Sequence, residues 1–262
     1  MDTAAVKQSS HIQGQEGTIH LDDGGSDGLP VVFTHSFAGD VSHWQNQLDF
    51  VRSQQRAIAF DFRGHGKSTS SDKTQYTAEA LAGDIAAVVD GLDLEKFVLV
   101  GHSMGGSAAI AYSDTHPSRV AGLVLVGTPG KTPSEISEPV IASLRSDAYQ
   151  KVMDDYMNRL VMNTTQEVKT KLLDGARKIH REESIKIIQS MFEFDPIDMV
   201  QRFKGPLLII ATTNDQKQPN ALVNQVQGVQ TRMIEGTSHW PQLDKPEEFN
   251  RILADFLKRI KQ

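Results

Sequence analysis

The feature that most constrains how this chain can fold is a series of short apolar runs, rich in β-branched residues and separated by longer helical patterns. Most of the runs are apolar at every position rather than at alternate positions. Strands have this pattern when helices cover both faces of a parallel sheet. We therefore predict buried parallel strands at residues 31–34, 57–60, 97–100, 123–126, 207–210 and 231–234.

Helical patterns follow several of these runs. Leu81 and Ile85 recur at helical spacing near residues 77–90, and residues near 246–260 carry a similar apolar stripe. Residues near 103–115 are rich in glycine and alanine, so that a helix there can pack close to a sheet. The alternation of strands and helices predicts a doubly wound, mostly parallel α/β sheet.

Residues 18–21 differ from the other runs because apolar and polar side chains alternate there. This alternation is typical of a strand with one face in the core and one face in solvent. We therefore predict an antiparallel strand at the edge of the sheet.

A long segment without strand patterns interrupts the alternation. We expect a helical insertion at residues 131–200 within a core formed by residues 1–130 and 201–262. Five of the eight methionines fall in the insertion, either as filler of a small core or as an adaptable apolar wall over a pocket. Short charged helices are predicted around residues 138–160, 165–179 and 182–192.

Composition excludes several classes of function. The 262-residue chain has no cysteine, which excludes disulfide scaffolds, cysteine nucleophiles and thiolate metal sites. Its formal net charge of −6 disfavours nucleic-acid binding, since phosphate recognition needs clustered basic side chains. Residues 1–6 lack the lysine or arginine of a secretory signal, and no stretch approaches about 18 apolar residues. We therefore expect a cytoplasmic protein that binds neither nucleic acid nor membranes.

A candidate nucleophile follows the apolar run at residues 97–100. The pentapeptide at residues 101–105, Gly-His-Ser-Met-Gly, has the pattern G-x-S-x-G, and a helical pattern begins directly after it. Such a strand–turn–helix is the setting of a nucleophile elbow, whose flanking glycines avoid collisions at a strained turn. The N-terminus of the following helix favours developing negative charge. We therefore predict Ser103 as a catalytic nucleophile.

A serine hydroxyl needs a base, and the base needs an acid that fixes its tautomer. His239 is the histidine that lies between the last predicted strand and the C-terminal helix. Asp215 lies just beyond a predicted strand and stands between Ser103 and His239 in chain order, as expected for an acid after a nucleophile elbow. We predict His239 as the base and Asp215 as the acid, with Asp195 and Asp198 as alternatives for the acid.

At this point the chain resembles the α/β-hydrolase superfamily, from about residue 17 to the C-terminus. Four segments look like the oxyanion loop, the D-x-R-G-H-G-x-S turn, the nucleophile elbow and the histidine loop of that family, in the family's order. The resemblance implies an eight-stranded, mostly parallel sheet with an inserted helical cap, and the backbone amides of Phe37 and Met104 as oxyanion donors. The segments are residues 35–39 (His-Ser-Phe-Ala-Gly), 61–68 (Asp-Phe-Arg-Gly-His-Gly-Lys-Ser), 101–106 (Gly-His-Ser-Met-Gly-Gly) and 236–243 (Gly-Thr-Ser-His-Trp-Pro-Gln-Leu).

The chain departs from the family pattern at two positions. Ser36 stands where members usually have a glycine after the histidine of the oxyanion loop. Thr212 stands where a glycine is often found three residues before the acid. The turn at residues 61–68 is expected to be structural rather than a metal site.

These residues lead to a functional hypothesis: a serine hydrolase that cleaves a small carboxylic ester, or a related acyl substrate such as a lactone or thioester, through an acyl-enzyme on Ser103. The reactants are a small acyl substrate and water, and no cofactor or metal is expected. A serine rather than an aspartate at the elbow disfavours the branches of the superfamily that form an alkyl-enzyme. Two alternatives stay open, a ligand receptor or regulatory protein and a non-hydrolytic lyase on the same fold. The sequence does not determine the acyl group or the oligomeric state.

Overall fold

The computed structural model describes residues 8–26, 28–71 and 73–260, and within these ranges the strands form one eight-stranded sheet. Every strand predicted from the apolar runs is confirmed, several with one to three additional residues. Residues 1–6, on which the expectation about a secretory signal depends, lie outside the described ranges. The strands are β1 (Gln8–Gln13), β2 (Thr18–Gly24), β3 (Val31–Thr34), β4 (Ala57–Phe60), β5 (Phe97–His102), β6 (Val120–Val126), β7 (Leu207–Thr212) and β8 (Gln230–Ile234).

The sheet has the order β1-β2-β4-β3-β5-β6-β7-β8, with β3 to β8 parallel and β1 and β2 antiparallel. The predicted antiparallel pairing of β2 is correct, but its predicted position at the edge is wrong. The edge is β1, which pairs with β2 and places Ile12 opposite Ile19. The sequence of β1 is polar apart from Ile12, so it carries too little apolar patterning to be recognised as a strand.

Helices connect the strands, and those predicted near residues 77–90, 103–115 and 246–260 are confirmed. A short 3-10 helix spans Val41–Trp44. The helices are α1 (Gln45–Arg52), α2 (Ala78–Gly91), α3 (Met104–Thr115), α4 (Ser134–Arg145), α5 (Tyr149–Leu160), α6 (Gln166–Lys178), α7 (Arg181–Glu193), α8 (Ile197–Arg202), α9 (Thr213–Gln216), α10 (Leu222–Gln225), α11 (Pro241–Asp244) and α12 (Pro246–Ile260).

Five helices, α4 to α8, lie between β6 and β7 and are called the helical insertion below. The helix expected around residues 138–160 is two helices, because the chain turns between α4 and α5. Ser146 has extended backbone there, and its hydroxyl accepts from the amide of Ala148. The apolar side chains of α5 that face inward include Met153 and Met157, both buried.

Apolar side chains cover both faces of the sheet, which explains the continuous apolar runs. In β5, Phe97 and Leu99 pack on the face with α2, α3 and the insertion, whereas Val98 and Val100 pack on the face with α1 and α12. Burying each such side chain is worth about 1.5–3 kcal/mol. No helix within the described ranges is both long and apolar enough to span a lipid bilayer.

Candidate active site

Ser103 occupies a strained turn between β5 and α3. Its backbone has φ +52° and ψ −115°, which a non-glycine residue adopts only where the surroundings enforce it. Ser103 is buried, and its amide donates to the carbonyl of Val126 at the end of β6 (2.8 Å). The turn therefore places the serine at the N-terminus of α3, on the edge where the parallel strands end.

The glycines of the elbow allow backbone segments to approach each other closely. A Cβ on Gly105 would lie 2.5 Å from the carbonyl oxygen of His35, and one on Gly101 would lie 2.6 Å from the carbonyl oxygen of Gly105. A Cβ on Gly106 would overlap the hydroxyl of Thr128. The N-terminus of α3 is thereby held against the segment after β3 that the sequence analysis identified as an oxyanion loop.

The structure brings His239 and Asp215 together. Nδ1 of His239 lies 3.5 Å from Oδ1 of Asp215, and both side chains are about nine-tenths buried. Burial raises the pKa of the Asp215 carboxyl, but the hydrogen bond and charge of His239, with hydrogen bonds from Thr212, outweigh it. The net result is a pKa below the ordinary value, so Asp215 stays ionised beside the imidazole.

Thr212, which stands where the family often has a glycine, makes hydrogen bonds that fix Asp215. Its hydroxyl accepts from the amide of Asp215 (3.2 Å), and Oδ2 of Asp215 accepts from the amide of Thr212 (2.7 Å). This reciprocal pair caps α9 and turns Oδ1 of Asp215 toward His239. The pattern Thr-x-x-Asp is readable in the sequence as a capping signal.

The backbone of His239 is fixed from two sides. Its amide donates to the carbonyl of Leu160, the last residue of α5 (2.9 Å), and its carbonyl accepts from Nε2 of His102 (2.8 Å). The other ring nitrogen of His102 accepts from the side-chain amide of Gln242 (3.1 Å). Burial, and then the charge of His239, lower the pKa of His102 well below its usual range, so this ring is a neutral donor.

Ser103 and His239 border the same strand end. A Cβ on Gly127, the residue after Val126, would lie 2.9 Å from Cε1 of the His239 ring, so the ring packs directly on this glycine. Among the described residues the hydroxyl of Ser103 has no hydrogen-bond partner. Ser103 and the His239 ring therefore lie at neighbouring positions without a hydrogen bond between them. Such an arrangement does not exclude a catalytic pair, because hydrogen bonds of this kind often tighten only when substrate is bound.

Two backbone amides next to the elbow are available to a ligand. Within the described part of the chain the Phe37 amide donates to no other residue. Met104 is the first residue of α3, so its amide has no acceptor within the helix. Both residues are buried.

Ser36, which stands where family members usually have a glycine, makes a buried hydrogen bond through its side chain. Its hydroxyl accepts from the indole Nε1 of the buried Trp240 (3.0 Å). His35 holds the same loop, because its Nδ1 donates to the carbonyl of Ser36 (2.7 Å) and its Nε2 accepts from the amide of Phe62 (2.9 Å). Residues 35–39 are therefore joined to the loop that carries His239 on one side and to the turn after β4 on the other.

The turn at residues 61–68 is built around Asp61. The buried carboxylate accepts from the amides of Val41 (2.7 Å) and Lys67 (2.8 Å) and contacts Nδ1 of His20 (2.9 Å). The described residues contain no group of three or more side chains arranged to hold a metal ion.

The structure also places the alternative acids and one residue that the sequence analysis missed. Asp195 pairs with Lys131 at the surface (2.8 Å), and Asp198 is exposed. Asp244 was missed, although its carboxylate accepts from both the amide and the hydroxyl of Ser238, beside His239. No sequence pattern indicates that contact.

Comparisons with known proteins agree with this architecture. The family model described as alpha/beta hydrolase fold matches residues 30–170. A non-heme chloroperoxidase from Streptomyces lividans is 31% identical, over 92% of this chain and 95% of its own. A 2-hydroxy-6-oxononadienedioate/2-hydroxy-6-oxononatrienedioate hydrolase from Paraburkholderia phymatum is 29% identical, over 93% of this chain and 92% of its own. The structure of a thermophilic esterase from Thermogutta terrifontis superposes with a TM-score of 0.81 at 23% identity, over 97% of this chain and 100% of the esterase chain.

Proposed function

The chain belongs to the α/β-hydrolase family, and we propose that it is a serine hydrolase that cleaves a small carboxylic ester. Ser103 is the nucleophile, His239 the general base and then acid, and Asp215 the residue that orients the imidazole. The amides of Phe37 and Met104 are the oxyanion donors. The observation that carries the proposal is the His239–Asp215 pair (3.5 Å) beside a strained, buried serine at a helix N-terminus.

The proposed reaction has two halves. In the first, Oγ of Ser103 attacks the ester carbonyl while Nε2 of His239 takes its proton, and the tetrahedral oxyanion accepts hydrogen bonds from the two amides. The C–O bond to the alcohol then breaks, and the alcohol leaves with the proton from His239. In the second half, His239 takes a proton from water, which attacks the acyl carbonyl. The bond from that carbon to Oγ of Ser103 then breaks, Oγ takes the proton back from His239, and the acid is released. Each oxyanion donor contributes about 3–4 kcal/mol.

We propose that the helical insertion, with boundaries near residues 131–200, acts as a cap over this site. Three of its contacts with the core support this role. The carbonyl of Leu160 accepts from the His239 amide, Nζ of Lys171 donates to the carbonyl of Ser42 (3.0 Å), and Glu183 accepts from the hydroxyl of Tyr76 (3.1 Å). The insertion therefore contacts the histidine loop, the 3-10 helix after residues 35–39, and the segment that leads into α2.

The test is hydrolysis of p-nitrophenyl esters of increasing acyl length by the wild type and by Ser103→Ala and Asp215→Asn. Ser103→Ala should lower kcat by about 10⁶-fold. Asp215→Asn should lower it by about 10⁴-fold, because an asparagine no longer holds the imidazole in the tautomer that accepts the serine proton. Asp195→Asn is the matched control, since Asp195 is a surface residue paired with Lys131, and it should keep wild-type activity.

Two outcomes would contradict the proposal. If Ser103→Ala hydrolyses the esters as fast as the wild type, Ser103 is not the nucleophile. If the wild type is inert toward every ester and toward an organophosphonate, the receptor or lyase alternative replaces ester hydrolysis.

A further inference from the structure

The end of α5 and the linker from α5 to α6 are joined to the histidine loop by hydrogen bonds, one from each. The first is the bond from the His239 amide to the Leu160 carbonyl (2.9 Å). The second is a short hydrogen bond from the hydroxyl of Thr164 to Oδ1 of Asp244. Asn163, between the two points, has φ +70°, so the linker has a defined, left-handed turn there.

The other oxygen of Asp244 holds the residues on either side of His239. Oδ2 accepts from the amide (2.7 Å) and the hydroxyl (2.6 Å) of Ser238. Because the Ser238 hydroxyl donates to the carboxylate, its lone pairs are directed elsewhere, and it accepts from the amide of Trp240 (3.1 Å). One carboxylate thus fixes both neighbours of the base and, through Thr164, fastens them to the insertion.

We infer that Asp244 is a positioning residue for the base: it couples the helical insertion to the orientation of His239. This inference rests on the proposed function and extends it to a residue outside the triad. The imidazole is aligned only when its backbone is held at Leu160 and at Ser238. A shift of the α5–α6 linker would therefore move the base relative to Ser103, and displacements of about 1 Å can cost on the order of 100-fold in rate.

The coupling is tested most directly at Thr164, which touches neither the triad nor the oxyanion amides. Thr164→Val keeps the shape of the side chain but removes the donor to Asp244. We expect kcat for a p-nitrophenyl ester to fall roughly tenfold, with KM changed less than about twofold, because alignment rather than binding is lost. Thr164→Ser restores the hydroxyl and should return kcat to within about twofold of wild type.

Thr170→Val is the matched control on α6. The hydroxyl of Thr170 is exposed and bonds within its own helix, to the carbonyl of Gln166 (2.9 Å). The same substitution there should leave kcat unchanged. Asp244→Asn should lower kcat more than Thr164→Val does, because it weakens the contacts to Ser238 as well.

Two further measurements distinguish coupling from a merely structural role. The rate at which a small organophosphonate labels Ser103 should fall in Thr164→Val by the same factor as kcat, since labelling also needs an aligned base. Amide hydrogen exchange should increase together in residues 158–166 and 236–245. A residue that only stabilised the fold would lower the melting temperature without changing kcat or labelling below that temperature.

The inference is overturned if Thr164→Val and Asp244→Asn, both folded, keep wild-type kcat and labelling rates. It is also overturned if exchange increases in only one of the two segments. An inert wild type would instead contradict the proposed function, and the exchange experiment would still decide whether the two segments are coupled.

Discussion

At the scale of single residues, the hydroxyl of Ser36 joins two loops that lie far apart in the sequence. It accepts from the indole of Trp240, 204 residues away, at a site where both side chains are buried. A glycine at this position would leave that indole N–H without its acceptor. The departure from the family pattern is therefore compensated by a specific buried contact rather than being neutral.

We expect Ser36→Ala to lower the free energy of unfolding by about 1–3 kcal/mol, because the buried N–H of Trp240 loses its acceptor. Urea denaturation followed by tryptophan fluorescence measures this change. Ser53→Ala is the control. The Ser53 hydroxyl is exposed and donates only to the carbonyl of Phe50, in the helix that Ser53 follows, so the substitution should change stability by less than about 0.5 kcal/mol. Equal effects of the two substitutions would contradict the assigned role of Ser36.

At the scale of elements, α3 lies close to the sheet because two residues of its first turn, Gly105 and Gly106, have no side chains to hold it away. A Cβ on Gly105 would lie 2.5 Å from the carbonyl oxygen of His35 and 2.7 Å from that of Thr34. Both are backbone atoms, which cannot rotate away. The hydroxyl of Thr34 also donates to the carbonyl of Gly105 (3.1 Å), so the helix is fastened at the same point.

A pair of identical substitutions in two helices tests this close approach. Gly105→Ala should lower the free energy of unfolding by more than about 2 kcal/mol, since α3 must shift away from β3. Gly83→Ala in α2 should raise it by about 0.5–1 kcal/mol, because alanine is the better helix former and the nearest atom is the end of the exposed Gln15 side chain (3.1 Å). Chemical denaturation of both variants measures the difference. A stable Gly105→Ala protein would contradict the backbone contact.

At the scale of the whole molecule, the site is surrounded by buried histidines that stay neutral. Burial lowers the pKa of His35, His65 and His102, and it lowers that of His43 to about 4. Below a pH of about 6.5 these groups take up protons in the unfolded chain but not in the folded one. The unfolded state therefore binds more protons, and stability must fall as the pH decreases from 6.5 toward the folded pKa values. The raised pKa values of Asp61 and Asp84, caused by burial, oppose this trend in part at the acid end.

We expect the free energy of unfolding to decrease as the pH falls from 6.5 to 5. The slope should be at least about 1.4 kcal/mol per pH unit, which corresponds to one more proton bound by the unfolded state than by the folded state. Urea titrations at pH 7, 6 and 5 measure the slope. His43→Gln removes one of the buried groups and should make the slope shallower, whereas His180→Gln, at an exposed position, should keep it. A stability independent of pH in this range would show that the histidines are not neutral in the folded state.

The amino-acid sequence determined the features that depend on local pattern. Runs such as residues 97–100 are apolar at every position because both faces of the sheet are covered, so the strands and their parallel arrangement were predictable. The elbow was predictable for a similar reason, since a strained turn between strand and helix needs small residues such as Gly101 and Gly105 close to Ser103. Ser103, Asp215 and His239 follow the ends of β5, β7 and β8, so their order along the chain is the order of these strands.

Only the tertiary structure decided the contacts between distant segments. The edge strand β1 is defined by its pairing with β2, since Ile12 is its single apolar residue. The Ser36–Trp240 bond and the Thr164–Asp244 bond span 204 and 80 residues. A local pattern records which face of an element is buried, but it does not record which polar group of another element will lie opposite. That depends on how the strands are ordered and on where the helical insertion packs.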